Sequence, residues 1–313
     1  MNFSFFHSTN KDLQFLSLTS LLIGIFILSL QDSLIKLISS NTTFWQLQLI
    51  RSFFNILFLS VLVIIINNIK LLWPINPIPV FLRALMMVLC MICFFSASPI
   101  LSISQMAAGL YTFPIFVTIL SIFISKETIG LFRIIALFMG FIGSLFILEP
   151  WKENFRFYQL LPVFAGFFYA CNIILIRKFC RNESPVSLTF IVGICFCVSG
   201  LLGVTILGIF PINIDIGLSF ITNGWIKLTF YSFSFIIICS ILNITGNLAL
   251  AKAYQNAESS WLAPIDYFYL IFVCLWSKVI FDVWPKTFDL VGILFITCSG
   301  LIITYREKIR RDN

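Results

Sequence analysis

Residues 105–114 read Gln-Met-Ala-Ala-Gly-Leu-Tyr-Thr-Phe-Pro, and residues 255–264 read Gln-Asn-Ala-Glu-Ser-Ser-Trp-Leu-Ala-Pro. Gln, Ala and Pro recur at one constant offset of 150, in a chain of 313 residues. Beyond each proline comes an apolar stretch, then an acidic break at Glu127 or Asp282, then a final glycine-bearing apolar run. Upstream, Gln31 to Lys36 corresponds loosely to Asn172 to Arg177. The chain therefore reads as two related halves.

Composition says where those halves live. Hydrophobic residues make up 60% of the chain and charged residues 11%, with 37 Phe, and mean hydropathy is +1.04. Soluble domains are about 45–50% apolar and about 25% charged, so a soluble class is excluded. A bilayer-spanning helix takes roughly 20 apolar residues. Apolar runs separated by turn and charge punctuation predict ten helices near 15–39, 44–67, 79–97, 101–124, 129–148, 158–178, 187–210, 226–252, 257–281 and 287–305. The runs are continuous and do not alternate with period two, which excludes an outer-membrane barrel. The expected fold is an all-α polytopic membrane protein. Its segments are a tail over 1–14, a first repeat over 15–150, a second over 151–305 and a basic tail over 306–313. No cleavable leader is expected before the run that starts at Phe15.

Five helices per half is an odd number, so the second half enters the bilayer upside down relative to the first. Inverted repeats of this kind mark secondary transporters, with the site between the halves near the midplane. With both termini cytoplasmic, one membrane face collects twelve Lys and Arg and the other only Lys152, Arg156, Lys227 and Lys286. The net charge of +7 is then a topology signal, and no nucleic-acid partner is implied.

Chemistry is narrowed by what is scarce. The one histidine, His7, lies before the first apolar run, so imidazole metal sites and Ser-His-Asp catalysis lack their usual reagent. Cys90-x-x-Cys93 has a metal-like spacing but no second pair to complete four ligands, and the nine cysteines read as buried thiols. No metal, no cofactor and no enzymatic activity are expected.

An ionisable side chain at membrane depth costs roughly 2.5–3.5 kcal/mol, so each one is a candidate for function. Asp32 and Lys36 are four apart on one helical face and can either neutralise each other or present a polar strip with Gln31 to a cavity. Arg51 shares a stripe with Gln48 and Asn55; its fork suits a carboxylate, either a solute's or that of Asp32. Asp266 follows Pro264, which removes a backbone hydrogen bond, and Tyr267 and Tyr269 follow it. A carboxylate beside aromatic rings can hold an amine or, alternatively, carry a coupling proton. Tyr111, Tyr169, Asn172, Asn243, Asn247 and Trp261 supply further polar and aromatic groups. The expected cavity set is Asp32, Lys36, Gln48, Arg51, Tyr111, Asn172, Asn247, Trp261, Asp266 and Tyr267. Arg83 and Lys278 are read as snorkelling toward helix ends or neighbouring loops.

Motifs sharpen this. Ala263-Pro-Ile-Asp-Tyr267, Phe281-Asp-Val-Trp-Pro285, Gly292, Ser299-Gly-Leu301 and Arg306-Glu307 resemble the second EamA domain of the drug/metabolite transporter superfamily. Gln105 to Ala108, Pro114, Lys126-Glu127, Gly140, Gly143 and Pro150 resemble the end of a first such domain. The resemblance covers about residues 15–307 and is similar in flavour to alphaproteobacterial members that include S-adenosylmethionine uptake and riboflavin carriers. It implies ten helices in two inverted halves, a central cavity, a small-molecule substrate and no ATPase subunit. The expected function is secondary transport of an amino-acid-like or S-adenosylmethionine-like metabolite across a bacterial inner membrane, with protons as one option for coupling. The alternatives are an intramembrane lipid- or prenyl-modifying enzyme, and an amino-acid or drug exporter of the same family.

Overall fold

A computed structural model describes residues 14–125, 131–149, 151, 157–180, 182–210, 219–256 and 265–312. Among these residues every regular element is helical: α1 (Gln14–Ile38), α2 (Phe44–Ile65), α3 (Pro77–Ser96), α4 (Ile103–Leu110), α5 (Phe113–Ser125) and α6 (Leu131–Leu148) in the first half. The second half contributes α7 (Leu161–Phe179), α8 (Pro185–Ile209), α9 (Phe230–Asn256), α10 (Phe268–Phe281) and α11 (Thr287–Asp312). Among the described residues seven helical stretches are long and apolar enough to cross a bilayer, and three shorter apolar helices, Ile134–Ile147, Phe268–Phe281 and Thr287–Ile302, accompany them.

Local chemistry sets the helix starts. The Thr43 hydroxyl accepts from Gln46 N at the head of α2. Ser102 and Gln105 form a reciprocal capping box on α4, which satisfies two of the N–H groups that a helix start leaves orphaned. Pro77 and Pro185 open α3 and α8, where a missing N–H costs nothing. The expected unbroken fourth helix is two pieces, α4 and α5, separated by a turn at Tyr111 and Thr112. Pro114 cannot donate back into the preceding turn, and the Thr112 hydroxyl instead donates to Gly109 O at 2.7 Å. The final helix runs on to Asp312, through the expected tail. The α10 helix ends at Asp282, a non-glycine residue at φ 55° paired with Lys278 at 2.5 Å. That hydrogen bond from Lys278 holds the exposed Asp282 carboxyl below the usual carboxylate range.

The two halves interleave. With α4 and α5 counted as one span, the spans run from one to ten, and the strongest packing pairs are one with eight, five with ten, three with six and two with seven. Spans one with nine, four with six, three with seven, two with eight and four with nine come next. Adding five to each span number maps this set onto itself: one–eight becomes six–three, one–nine becomes six–four, and two–eight becomes seven–three. Close approach in these pairs uses small residues, the usual solution where lipid removes the hydrophobic drive between helices. A Cβ on Gly143 would lie 2.8 Å from Gly292 O, and one on Gly292 would lie 2.6 Å from Gly143 O.

The connections are latched across the same symmetry. Thr43 Oγ1, Trp45 Nε1 and Gln46 Nε2 donate to the carbonyls of Gly224, Ile221 and Ile226 at 2.9, 2.7 and 2.9 Å. This ties the α1–α2 connection to the α8–α9 connection. At the other end of the bundle Glu183 accepts from Ile75 N at 2.9 Å and Asn76 N at 2.7 Å. That ties the α7–α8 connection to the start of α3.

A charged cavity between the halves

Side chains from both halves enclose a cavity of about 170 Å³. Helix α1 contributes Leu28, Gln31 and Asp32 at positions i, i+3 and i+4, and α2 contributes Arg51 and Asn55 at i and i+4. Helix α3 contributes Arg83, Met87 and Met91, again one stripe, and α9 contributes Asn243, Asn247 and Leu250. The break between α4 and α5 places Tyr111 and Phe113 in the wall, opposite Asp266 and Tyr269 from the segment around the start of α10. Tyr169, Thr189, Val192 and Phe196 come from α7 and α8.

Five of the ten residues expected from sequence line this cavity: Asp32, Arg51, Tyr111, Asn247 and Asp266. Two stand directly behind it. Gln48 accepts from Arg51 Nη2 at 2.6 Å, and Asn172 accepts from Arg83 Nε at 2.8 Å. Trp261 lies outside the described residues. The remaining two point elsewhere. Lys36 does not pair with Asp32; its ammonium donates to the carbonyls of Ser98 and Leu101, each at 2.5 Å. It sits one turn past the cavity, where the connection after α3 offers bare carbonyls. Tyr267 is one residue from Asp266 and therefore turned away, and its buried hydroxyl is packed toward Gly300 without a hydrogen-bond partner.

The expected cavity set leaves out two groups that the cavity uses. Arg83 does not snorkel as expected: α3 begins at Pro77, so Arg83 is already one turn inside. It points inward, with Nη1 donating to Leu188 O at 3.0 Å; its spacing of four and eight from Met87 and Met91 is the available signal. Tyr269 is three residues from Asp266, on the same helical face, and its hydroxyl donates to Asp32 Oδ2 at 2.5 Å.

The polar side chains are ordered in direction. Ser240 Oγ donates to Asn55 Oδ1 at 2.6 Å, and Asn55 Nδ2 donates to Asn243 Oδ1 at 3.1 Å. Asn243 Nδ2 donates to Gln31 Oε1 at 2.7 Å, and Gln31 Nε2 donates to Asp32 Oδ1 at 2.8 Å. Every amide in this chain passes its donor toward the Asp32 carboxylate, and every amide oxygen is used by the donor before it. Arg51 differs: it is 4% exposed, lies 5.8 Å from the Phe196 ring centroid, and its Nε has no partner. The aromatic wall is continuous. Tyr269 stacks on Tyr111 at 5.3 Å, Tyr111 meets Phe113 at 5.7 Å, and Phe113 meets Tyr169 at 5.0 Å. Tyr111 also donates its hydroxyl to Asp266 O at 3.0 Å, joining the α4–α5 turn to the residues just before α10.

With Asp32, Asp266, Arg51 and Arg83 in the lining, two acids and two bases cancel in formal charge. Such a cavity can hold a solute that carries both signs. The EamA-like transporter family matches the chain twice, over residues 15–149 and over residues 156–305. The chain belongs to this family. It is 31% identical over 215 residues to the riboflavin transporter of Vibrio cholerae, spanning 66% of this chain and 65% of that relative. It is 25% identical over 294 residues to the S-adenosylmethionine uptake transporter of Rickettsia bellii, spanning 91% and 94% of the two chains. One solved crystal structure superposes with a TM-score of 0.59 at 13% identity, over 92% of this chain and 97% of that one, a likeness in fold. The EamA-like protein described here is thus a polytopic helical transporter of small metabolites.

Proposed function

We propose that this EamA-like chain carries an amphoteric small metabolite of the S-adenosylmethionine type across a bacterial inner membrane. It does so by alternating access between its two inverted repeats, residues 15–150 and 151–305, around the central cavity, with both termini in the cytoplasm. The single observation that carries the substrate class is the mixed charge of the lining, which presents the Asp32 and Asp266 carboxylates together with the Arg51 and Arg83 guanidinium groups. Four ionisable groups at membrane depth cost on the order of 10 kcal/mol in insertion. A neutral solute would return little of it.

The relatives support a carrier and no chemical transformation, and the Lys and Arg asymmetry supports the orientation. Flux driven by the solute gradient or by a proton gradient fits the same cavity, and neither needs an ATPase subunit. A second reading, a flat neutral heterocycle such as riboflavin, is favoured by the continuous wall from Tyr269 to Tyr169 and by the Vibrio relative.

The test is flux into proteoliposomes containing the purified chain. Labelled S-adenosylmethionine should accumulate saturably, with competition by unlabelled solute and none by riboflavin. Flux of riboflavin alone would move the reading to the neutral heterocycle, and absence of flux for S-adenosylmethionine, methionine and riboflavin would overturn it. An imposed pH gradient that leaves the rate unchanged would remove protons as the coupling ion.

A further inference from the structure

Asp32, where the directional amide chain ends, and Arg51 both line the cavity, and together they define a site with two unlike poles. A carboxylate has about four acceptor positions. Two of those on Asp32 are filled by Gln31 Nε2 and the Tyr269 hydroxyl. Gln31, Asn243 and Asn55 each have one lone pair of the amide oxygen taken by a neighbour. Asp32 is the charged acceptor of this group, and about two of its positions stay open. The Arg51 guanidinium spends Nη2 on Gln48 and lines the same cavity. The two charges are close enough to act on one another.

The geometry points to an α-amino-acid head-group subsite: the solute ammonium on Asp32 and the solute carboxylate on Arg51, with the remainder of the solute laid along Tyr111, Phe113 and Tyr169. This assignment rests on the carrier reading above and sharpens it by naming which end of the solute is held where. Gln31, Asn243 and Asn55 act as positioning residues, because they fix the rotamer of Asp32 through donated hydrogen bonds. The aromatic wall tolerates variety in the rest of the solute, since stacking discriminates little between flat rings. The subsite therefore predicts strict demand for the head group and loose demand elsewhere.

Wild-type protein in detergent tests this without any variant. Equilibrium binding is compared for S-adenosylmethionine, for methionine, and for methylthioadenosine, which keeps the nucleoside and lacks the amino-acid head. S-adenosylmethionine should bind at least tenfold more tightly than methylthioadenosine, and methionine should compete. Asp32→Asn and Arg51→Gln should each weaken S-adenosylmethionine at least tenfold and leave methylthioadenosine within twofold. Asn243→Leu should shift the pH profile of S-adenosylmethionine binding, a readout that loss of packing alone would not move.

Equal affinity of wild type for the two nucleosides overturns the subsite, and so does loss of both nucleosides in equal measure in a folded Asp32→Asn variant. Riboflavin bound by wild type and untouched by Asp32→Asn also overturns it. Flux of a solute that has no amino-acid head would leave the carrier reading standing and sink the subsite alone.

Discussion

Removing the Glu183 carboxylate is the perturbation whose size the structure defines best. Glu183 is 8% exposed and accepts from the backbone N–H groups of Ile75 and Asn76 at 2.9 and 2.7 Å. Hydrogen bonds to a charged partner contribute about 1.5–3 kcal/mol each, so the pair sums to about 3–6 kcal/mol as an upper bound. Both N–H groups lie in the connection leading into α3, at the edge of the bundle, where water can rehydrate them once the carboxylate is gone. A loss comparable to one strong helix cap plus part of the second bond, about 3 kcal/mol, is therefore expected for Glu183→Ala. That is about two decades in the unfolding equilibrium constant. Glu183→Gln keeps one acceptor oxygen and should lose about half as much. Equilibrium unfolding in mixed micelles, monitored by tryptophan fluorescence, gives both values. A Glu183→Ala protein within about 0.5 kcal/mol of wild type, less than one neutral hydrogen bond contributes, would refute the claim that this latch holds the two connections together.

Three more outcomes rest on named contacts. Gly203→Ala places a methyl group on the Trp45 ring and should force α2 from α8, giving aggregated protein on size exclusion; Gly208→Ala meets nothing within 4 Å and should be neutral or stabilising by up to about 1 kcal/mol. Lys36→Met strips the carbonyls of Ser98 and Leu101 of their donor and should lower stability by about 1–3 kcal/mol while solute affinity stays within twofold; a tenfold loss of affinity would return Lys36 to the binding site. Tyr267→Phe removes a buried hydroxyl that makes no hydrogen bond and should leave thermal stability equal or higher, whereas Tyr269→Phe takes a donor from Asp32 and should weaken solute binding several-fold.

Much of the architecture was legible in composition and periodicity, because a bilayer imposes its thickness on every apolar run and leaves charge only in loops or in the interior. The offset of 150 between the two glutamine-to-proline stretches anticipated the halves that pair span with span. The stripe of Gln48, Arg51 and Asn55 was legible for the same reason, since a polar face on an apolar helix has to meet protein or water. Boundaries were less so: a proline inside an apolar run marks a break, yet hydropathy alone did not divide α4 from α5.

The cavity's wiring was not legible. Asp32 and Lys36 have ideal spacing for a mutual pair, and sequence had no means of seeing that the carbonyls of Ser98 and Leu101 stand closer to Lys36. Arg83 looked like a residue near a helix end because its partners, Asn172 and Leu188, come from another repeat. Tyr269 reaches Asp32 across 237 positions of chain, a distance no local pattern encodes.

The sequence by itself determined that this is a polytopic membrane protein with a duplicated plan and a handful of charges too costly to bury without purpose. Only the tertiary structure decided which of those charges face one another. Insertion energy is a property of each residue and its depth, readable one position at a time, whereas hydrogen-bond partnership depends on how helices from opposite halves cross.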